Sequence, residues 1–251
     1  MKFISYLVLR VLIISFIFIS VEVSADPLVI GVEDKDWHPH YFWQDGKLDG
    51  ADIEVVKAVF QRLDVEIEFK ALPWKRLLKE IELKKIDGGV DLSFTKERAG
   101  FVFYPDEHLS EEGKAFYVKK GSNFKFSGNL KEVNVKNIVL MRGYNWAEIL
   151  KEIRDPEVLR YDQYSQIFEL LVLGRVDVFG GYTTPTDALI KKMGYADKIV
   201  MVSPPITVDK HYFGFAKKPG LKEFAKAFSV ELKKFKQTEE YKAIIDRFYS
   251  E

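Results

Sequence analysis

The chain has 251 residues, 47% hydrophobic and 30% charged, and 38 basic residues balance 38 acidic ones. With no basic excess to meet a phosphate backbone, nucleic acid is not expected as a partner. The absence of cysteine excludes disulfides, thiol nucleophiles and thiolate metal sites.

The first 25 residues differ in kind from the rest. Lys2 and Arg10 flank the start, the run 11–19 is apolar except for Ser15, and Val23-Ser24-Ala25 sets small residues ahead of a cut before Asp26. The apolar run is short for a membrane span, so a cleaved secretory signal peptide is expected over 1–25. An exported chain without a lipid-anchoring cysteine is then expected to be freely soluble in a bacterial periplasm.

Residues 28–32 form a short β-branched run, read as a buried strand. It empties into an acidic, aromatic loop that carries Asp34, Trp37, His38, His40 and Trp43. A helix follows from about 52, with Ile53, Val56, Phe60 and Leu63 on one face. Val65, Ile67, Phe69 and Ala71 alternate as a half-exposed strand, and Pro73 opens a helix that turns Leu77, Leu78 and Ile81 inward. The order β, α, β, α, β calls for a mostly parallel sheet under helices. Extended segments at 101–105 and 114–119 lead to a second unit of the same kind. It has strands at 137–142, 158–161, 176–179 and 199–202, a helix that turns Trp146, Ile149, Leu150 and Ile153 one way, a helix lined by Ile167, Leu170 and Leu171, and a helix at 186–193. A return strand at 211–216 precedes two terminal helices, the second capped by Thr238.

The third strand of the first unit runs out as Gly88-Gly89-Val90-Asp91-Leu92-Ser93-Phe94-Thr95-Lys96-Glu97-Arg98. Ser93 and Thr95 offer hydroxyls, and Arg98 offers a planar fork of donors that suits a carboxylate. By itself this is an ordinary strand end and loop. Asp91 and Glu97 are read as neighbours that orient Arg98 or face solvent. The paired glycines at 88–89 and 180–181 belong to no phosphate-binding pattern. His38 and His40 lack a third ligand at a recognisable spacing and are expected at the surface. Trp43 and Trp146 are read as structural and Arg76 as solvated. No motif implies a cofactor or a metal.

Taken together, the strand at 28–32, Gly50-Ala51-Asp52-Ile53, Ile86-Asp87, Ser93-Phe94-Thr95-Lys96-Glu97-Arg98 and Leu173-Gly174-Arg175-Val176-Asp177 resemble the bacterial family 3 solute-binding proteins. These are the periplasmic receptors of polar amino acid ABC importers, and Pro73-Trp74-Lys75-Arg76 is similar to a divergent branch of them. The resemblance covers nearly all of the chain after residue 25. It implies an α/β fold of type II with two lobes joined by two hinge strands. The first lobe would comprise 26–115 plus 210–251, the second 116–209, with hinges near 114–119 and 208–214.

Carried over by position, the resemblance makes Arg98 the carboxylate clamp, assisted by Ser93. Trp37 and Trp74 would sandwich the ligand, with Asp34 beside them. Arg142, Gly143, Tyr144 and Asn145 would form a second-lobe loop at a helix start. Tyr182 stands where relatives usually place an acid for the ligand's ammonium group. Either Tyr182 holds that group, or the ligand is not an ordinary amino acid; Asp187 lies a turn further on. The implied role is capture of a small polar carboxylate-bearing solute by a monomer, for an inner-membrane ABC permease or a membrane sensor. A periplasmic dehydratase or lyase on the same fold is the alternative.

Overall fold

The computed structural model describes residues 26–249, so the signal segment expected over 1–25 lies outside the described residues. Strand β1 (Leu28–Glu33) leads through the aromatic loop to a small hairpin, β2 (Phe42–Gln44) and β3 (Lys47–Asp49). Helix α1 (Ala51–Arg62), β4 (Ile67–Leu72), α2 (Trp74–Glu82) and β5 (Gly88–Ser93) complete the first unit. β6 (Val102–Phe103) and the long β7 (Ser110–Lys119) cross to the second unit. That unit holds β8 (Asn137–Met141), α3 (Ala147–Glu152), β9 (Glu157–Tyr161), α4 (Tyr164–Val172), β10 (Val178–Tyr182) and α5 (Thr183–Lys192). β11 (Ile199–Ala216) returns, and α6 (Leu221–Phe235) and α7 (Glu239–Tyr249) follow.

One sheet threads the described residues in the order β4-β1-β5-β11-β7-β10-β8-β9, with β6 on β11. β1 pairs in parallel with β4 and β5, and β8 pairs in parallel with β9 and β10. Two parallel groups thus flank a central antiparallel pair, β7 and β11. This is the consequence of two βαβ patterns in series joined by long strands, because each parallel step needs a helical crossover.

The separate strands expected at 199–202 and 211–216 are one strand. β7 supplies a continuous partner, from Ile199 against Lys119 to His211 against Ser110. The prolines between them fall where the register shifts, between Val202 and Thr207. Proline is tolerated at such a bulge because no ladder hydrogen bond is lost. Helix α5 begins at Thr183, ahead of the expected start at 186, with Pro185 in its first turn where no intrahelical N–H bond is needed.

The terminal helices pack against the first unit. Phe213 of β11 lies 5.3 Å from Phe60 of α1 and 5.0 Å from Phe228 of α6, ring centre to ring centre. Each buried phenylalanine contributes about 1.5–3 kcal/mol of hydrophobic stabilisation. On the second unit, adjacent β7 residues serve opposite faces. Tyr117 packs with Phe168 and Phe179, whereas Phe116 packs with Ile138, Leu140 and Trp146. The carboxyl ends of β1, β5, β8 and β10 converge, the place where open α/β sheets gather ligands.

Candidate functional site

A small cavity, about 20 Å³, lies between these strand ends. From the first unit it is lined by Glu33, Trp37, Trp74, Asp91, Ser93 and Arg98; from the second by Gly143, Tyr144, Asn145 and Tyr182; and by His211 of β11. Seven of the nine expected ligand residues therefore meet in one place: Arg98, Ser93, Trp37, Trp74, Tyr144, Asn145 and Tyr182.

Arg98 opens a short 3-10 turn, Arg98–Gly100, and its backbone N–H donates to Thr95 Oγ1 at 3.0 Å. The turn throws the side chain back onto β5. Its Nη1 donates to the Ser93 carbonyl at 3.0 Å and to Ser93 Oγ at 2.8 Å, while Nη2 donates to the Gly143 carbonyl at 3.5 Å. The guanidinium carbon stands 5.2 Å from the Trp74 ring centre. The residue is only 7% exposed, and no carboxylate pairs with it among the described residues. Burial accordingly pushes its pKa below the ordinary arginine value.

The aromatic wall is built around Trp37. A single bridge to Tyr41 holds its backbone, N–H to O at 2.8 Å one way and 3.1 Å the other. Its ring meets Tyr182 at 5.0 Å and Tyr144 at 5.1 Å, both edge-on. The indole N–H groups of Trp37 and Trp74 have no hydrogen-bond acceptor. Gly143 adopts φ 90°, a left-handed conformation that favours glycine, and its backbone sits against the Trp74 ring.

Two expected residues are not in the cavity. The Arg142 guanidinium turns outward to Asp162, Nε donating at 3.1 Å to each carboxylate oxygen, and Nη2 donates to the Arg160 carbonyl at 2.8 Å. An exposed ion pair costs less than burying a second cation beside Arg98. Asp34 lies past the end of β1, its N–H donating to the Leu72 carbonyl at 3.1 Å, and its side chain is not among those lining the cavity. Helix α3 starts at Ala147 and has six residues, too short to strengthen the 142–145 loop as an anion site. Asp187 does not reach the cavity either, since Tyr117 donates to it at 2.9 Å.

Two acids that the sequence reading did not place in the site do line it. Glu33 ends β1, and burial raises its pKa to about 7. Tyr41 donates to Glu33 Oε2 at 3.3 Å. Its position at the end of an apolar run was the available signal. Asp91 is buried rather than solvent-facing, beside the Asp52 carboxylate. Burial and the neighbouring Asp52 carboxylate raise its pKa well above the usual range. Glu97, by contrast, is exposed.

His40 also departs from expectation. It is 1% exposed and sits between two carboxylates, Nδ1 3.1 Å from Asp52 and Nε2 2.9 Å from Glu112. Backbone bonds from Ala51 to Pro39 and from Asp52 to His40 bring the start of α1 to it. Burial opposes the imidazolium, but the Asp52 and Glu112 carboxylates overcome it and raise the pKa to about 10. His40, Asp52 and Asp91 offer atoms within 4.8 Å of one another, close enough to hold a metal ion. Both His40 nitrogens are already engaged by carboxylates, which makes the set a weak metal centre. Among the other residues read as structural, Trp146 is buried in the second unit's core and Trp43 donates from Nε1 to the Glu33 carbonyl at 3.1 Å. Arg76 is exposed and paired with Glu80.

The sequence model of the bacterial extracellular solute-binding proteins, family 3, matches residues 28–251. The probable amino-acid-binding protein YxeM of Bacillus subtilis is 25% identical over 219 residues, spanning 85% of this chain and 81% of that protein. The L-arginine-binding protein of Pseudomonas aeruginosa is 25% identical over 240 residues, spanning 89% and 88%. The structure of an ancestral arginine-binding protein bound to arginine superimposes with a TM-score of 0.74 at 25% identity, covering 90% of this chain and 99% of that one.

Proposed function

The chain belongs to the bacterial extracellular solute-binding proteins, family 3, with their two-lobed type II binding fold, and from that membership we propose that it captures a small polar carboxylate-bearing solute in the periplasm. The solute is an amino acid or a related compound, handed to an inner-membrane ABC importer. Of the named relatives, one is an L-arginine-binding protein and the other a probable amino-acid-binding protein.

The observation that carries the carboxylate half is Arg98. A guanidinium buried to this degree without an anionic partner is costly. A carboxylate arriving between Arg98 and the Ser93 hydroxyl offsets that cost with two parallel charge-assisted hydrogen bonds. Trp37, Trp74, Tyr144 and Tyr182 supply flat apolar faces for the rest of the solute, and Asn145 a polar edge.

The cavity of about 20 Å³ holds roughly one water. Loading therefore requires the two sides to part. We assign 26–115 with 210–251 to one lobe and 116–209 to the other, hinged where β7 and β11 cross. The protein works as a monomer that binds and releases its solute unchanged, without catalysis and without nucleic acid.

The experiment is a thermal-shift screen of amino acids, dicarboxylates and amines, since a solute bound only to the folded state raises apparent stability. A carboxylate-bearing compound raises Tm in the wild type and not in Arg98→Ala. Hits confined to compounds without a carboxylate would reject the reading, and product formation on incubation would favour the enzyme alternative.

A further inference from the structure

His211 lies on β11 directly opposite Ser93 of β5. Directly opposed residues of an antiparallel pair share a face of the sheet. The β-bulge in this pairing comes later, between Tyr212 and Gly214, so the register at His211 is regular. The imidazole therefore stands beside the Ser93 hydroxyl, which accepts from Arg98 Nη1 at 2.8 Å, and it lines the same cavity. Its ring centre is 5.2 Å from that of Tyr182 and 5.8 Å from that of Trp37. The residue is 4% exposed, and neither ring nitrogen has a hydrogen-bond partner among the described residues. Burial and the His40 imidazolium, against Asp209, Asp52 and Glu112, hold its pKa down at about 4. The neutral ring offers one donor and one acceptor, and both are unused.

Two more side chains hold unpaired donors at the cavity, the indole N–H groups of Trp37 and Trp74. A buried donor left unpaired destabilises the empty protein, and a solute oxygen that reaches it removes the penalty. The groups that could attract a cation are engaged within the protein. Lys114 Nζ lies 5.4 Å from the Tyr182 ring centre and pairs with Asp209 at 2.6 Å, and the Tyr182 hydroxyl donates to the same acid at 3.4 Å. Tyr182 thus already carries the protein's own ammonium group, and a second one beside it would be repelled. Of the acids at the cavity, Glu33 accepts from Tyr41 and Asp91 is hydrogen-bonded to Asp52.

We infer that His211 is a specificity-determining residue that takes a neutral oxygen of the solute, a hydroxyl or oxo group, while Arg98 takes the carboxylate. The solute class is then the hydroxy- and oxo-carboxylates. This rests on the reading of the cavity as the solute site and narrows it, since these acids differ from amino acids only in carrying oxygen where the ammonium group stands. Because His211 is the neighbour of Ser93, the oxygen it reads lies on a carbon close to the carboxylate. An oxo group accepts from the imidazole N–H; a hydroxyl accepts from it or donates to the bare nitrogen. Further solute oxygens reach the indole N–H groups. An ammonium group would find only the bare nitrogen of His211 and leave every one of these donors unpaired.

The test is calorimetric titration of wild type, His211→Phe, His211→Gln and Arg98→Ala. The probes are alanine, leucine, phenylalanine, aspartate, glutamate and arginine, each beside the α-hydroxy, α-oxo and unsubstituted acids of the same skeleton. Phenylalanine keeps a buried planar ring and removes both nitrogens, so the Tm of the empty protein stays level or rises. In at least one skeleton the hydroxy or oxo acid binds wild type about tenfold or more tightly than the amino and unsubstituted acids, the scale of one hydrogen bond that only the former makes. His211→Phe weakens that acid about tenfold to a hundredfold and leaves the unsubstituted acid unchanged. His211→Gln, which restores a donor and an acceptor, recovers part of the loss, and Arg98→Ala weakens all. Should His211→Phe fail to fold, the wild-type selectivity still decides. Amino acids that bind as tightly as their hydroxy and oxo counterparts in every skeleton, or a selectivity that survives His211→Phe, overturn the role of His211 and leave that of Arg98 intact. No binding in any skeleton overturns both.

Discussion

His40 Nε2 lies 2.9 Å from Glu112 Oε2, and both side chains are buried, at 1% and 2% exposure. Glu112 belongs to β7, and its other oxygen accepts from the Thr183 hydroxyl and, at 2.8 Å, from the Thr184 N–H. One carboxylate thus ties the aromatic loop of the first unit to the start of α5 in the second. Removing one partner of a buried pair leaves an uncompensated charge, so His40→Ala is expected to cost about 3–5 kcal/mol. Chemical denaturation of wild type and variant measures this.

The same pair sets a pH dependence. The folded-state pKa of His40 is raised from 6.5 to about 10. Its contribution is fully present below pH 6.5 and is lost as pH rises through about 10. Asp52 is lowered from 3.8 to about 2: burial raises it, but the His40 imidazolium outweighs that. Its contribution is present above pH 3.8 and is lost as pH falls toward 2. Melting curves from pH 6 to 10 are expected to fall steadily in wild type and to lose much of that slope in His40→Gln.

Glu33 gives an effect of its own. Burial raises its pKa from 4.5 to about 7, so folding is favoured with the acid protonated and disfavoured as pH rises through 7. Glu33→Gln keeps the neutral shape and is expected to stabilise the protein at pH 8, on the order of 3 kcal/mol. At pH 4 the two proteins should melt together. A variant that gains no stability at pH 8 would contradict the burial argument.

Gly143 allows the close meeting of the two units over Trp74. A Cβ there would come 2.9 Å from the Trp74 ring, on a backbone at φ 90°. Gly143→Ala is expected to push that loop off Trp74 and raise the radius of gyration in small-angle scattering. Solute affinity should fall about tenfold, the scale of 1.4 kcal/mol. An unchanged scattering profile would mean that the contact does not govern closure.

The strands and helices were readable because their apolar residues repeat with the period of the element, as in α1 and β4. Arg98, Ser93, Trp37 and Trp74 were nameable through the family resemblance, because the 93–98 stretch alone is an ordinary strand end and only Trp37, in an otherwise polar loop, stands out locally. What escaped depends on distant partners. His40 is buried because Glu112 comes to it from 72 residues away. Asp91 enters the cavity because β11 imposes a bulge on β5, and no local pattern announces that register. Arg142 leaves the site because Asp162, 20 residues on, holds it outside. The continuous β11 was concealed by prolines that mark a bulge rather than an end.

The central claim is that Arg98 is the carboxylate clamp of a solute site. The direct measurement is calorimetric titration of wild type, Arg98→Lys and Arg98→Ala with the carboxylate compound that most raises the wild-type Tm. Lysine keeps the charge but cannot form the two parallel bonds, so affinity should fall stepwise, about tenfold or more for Lys and a hundredfold or more for Ala, as expected for charge-assisted hydrogen bonds. Unchanged affinity in Arg98→Ala, with the fold intact, would contradict the account.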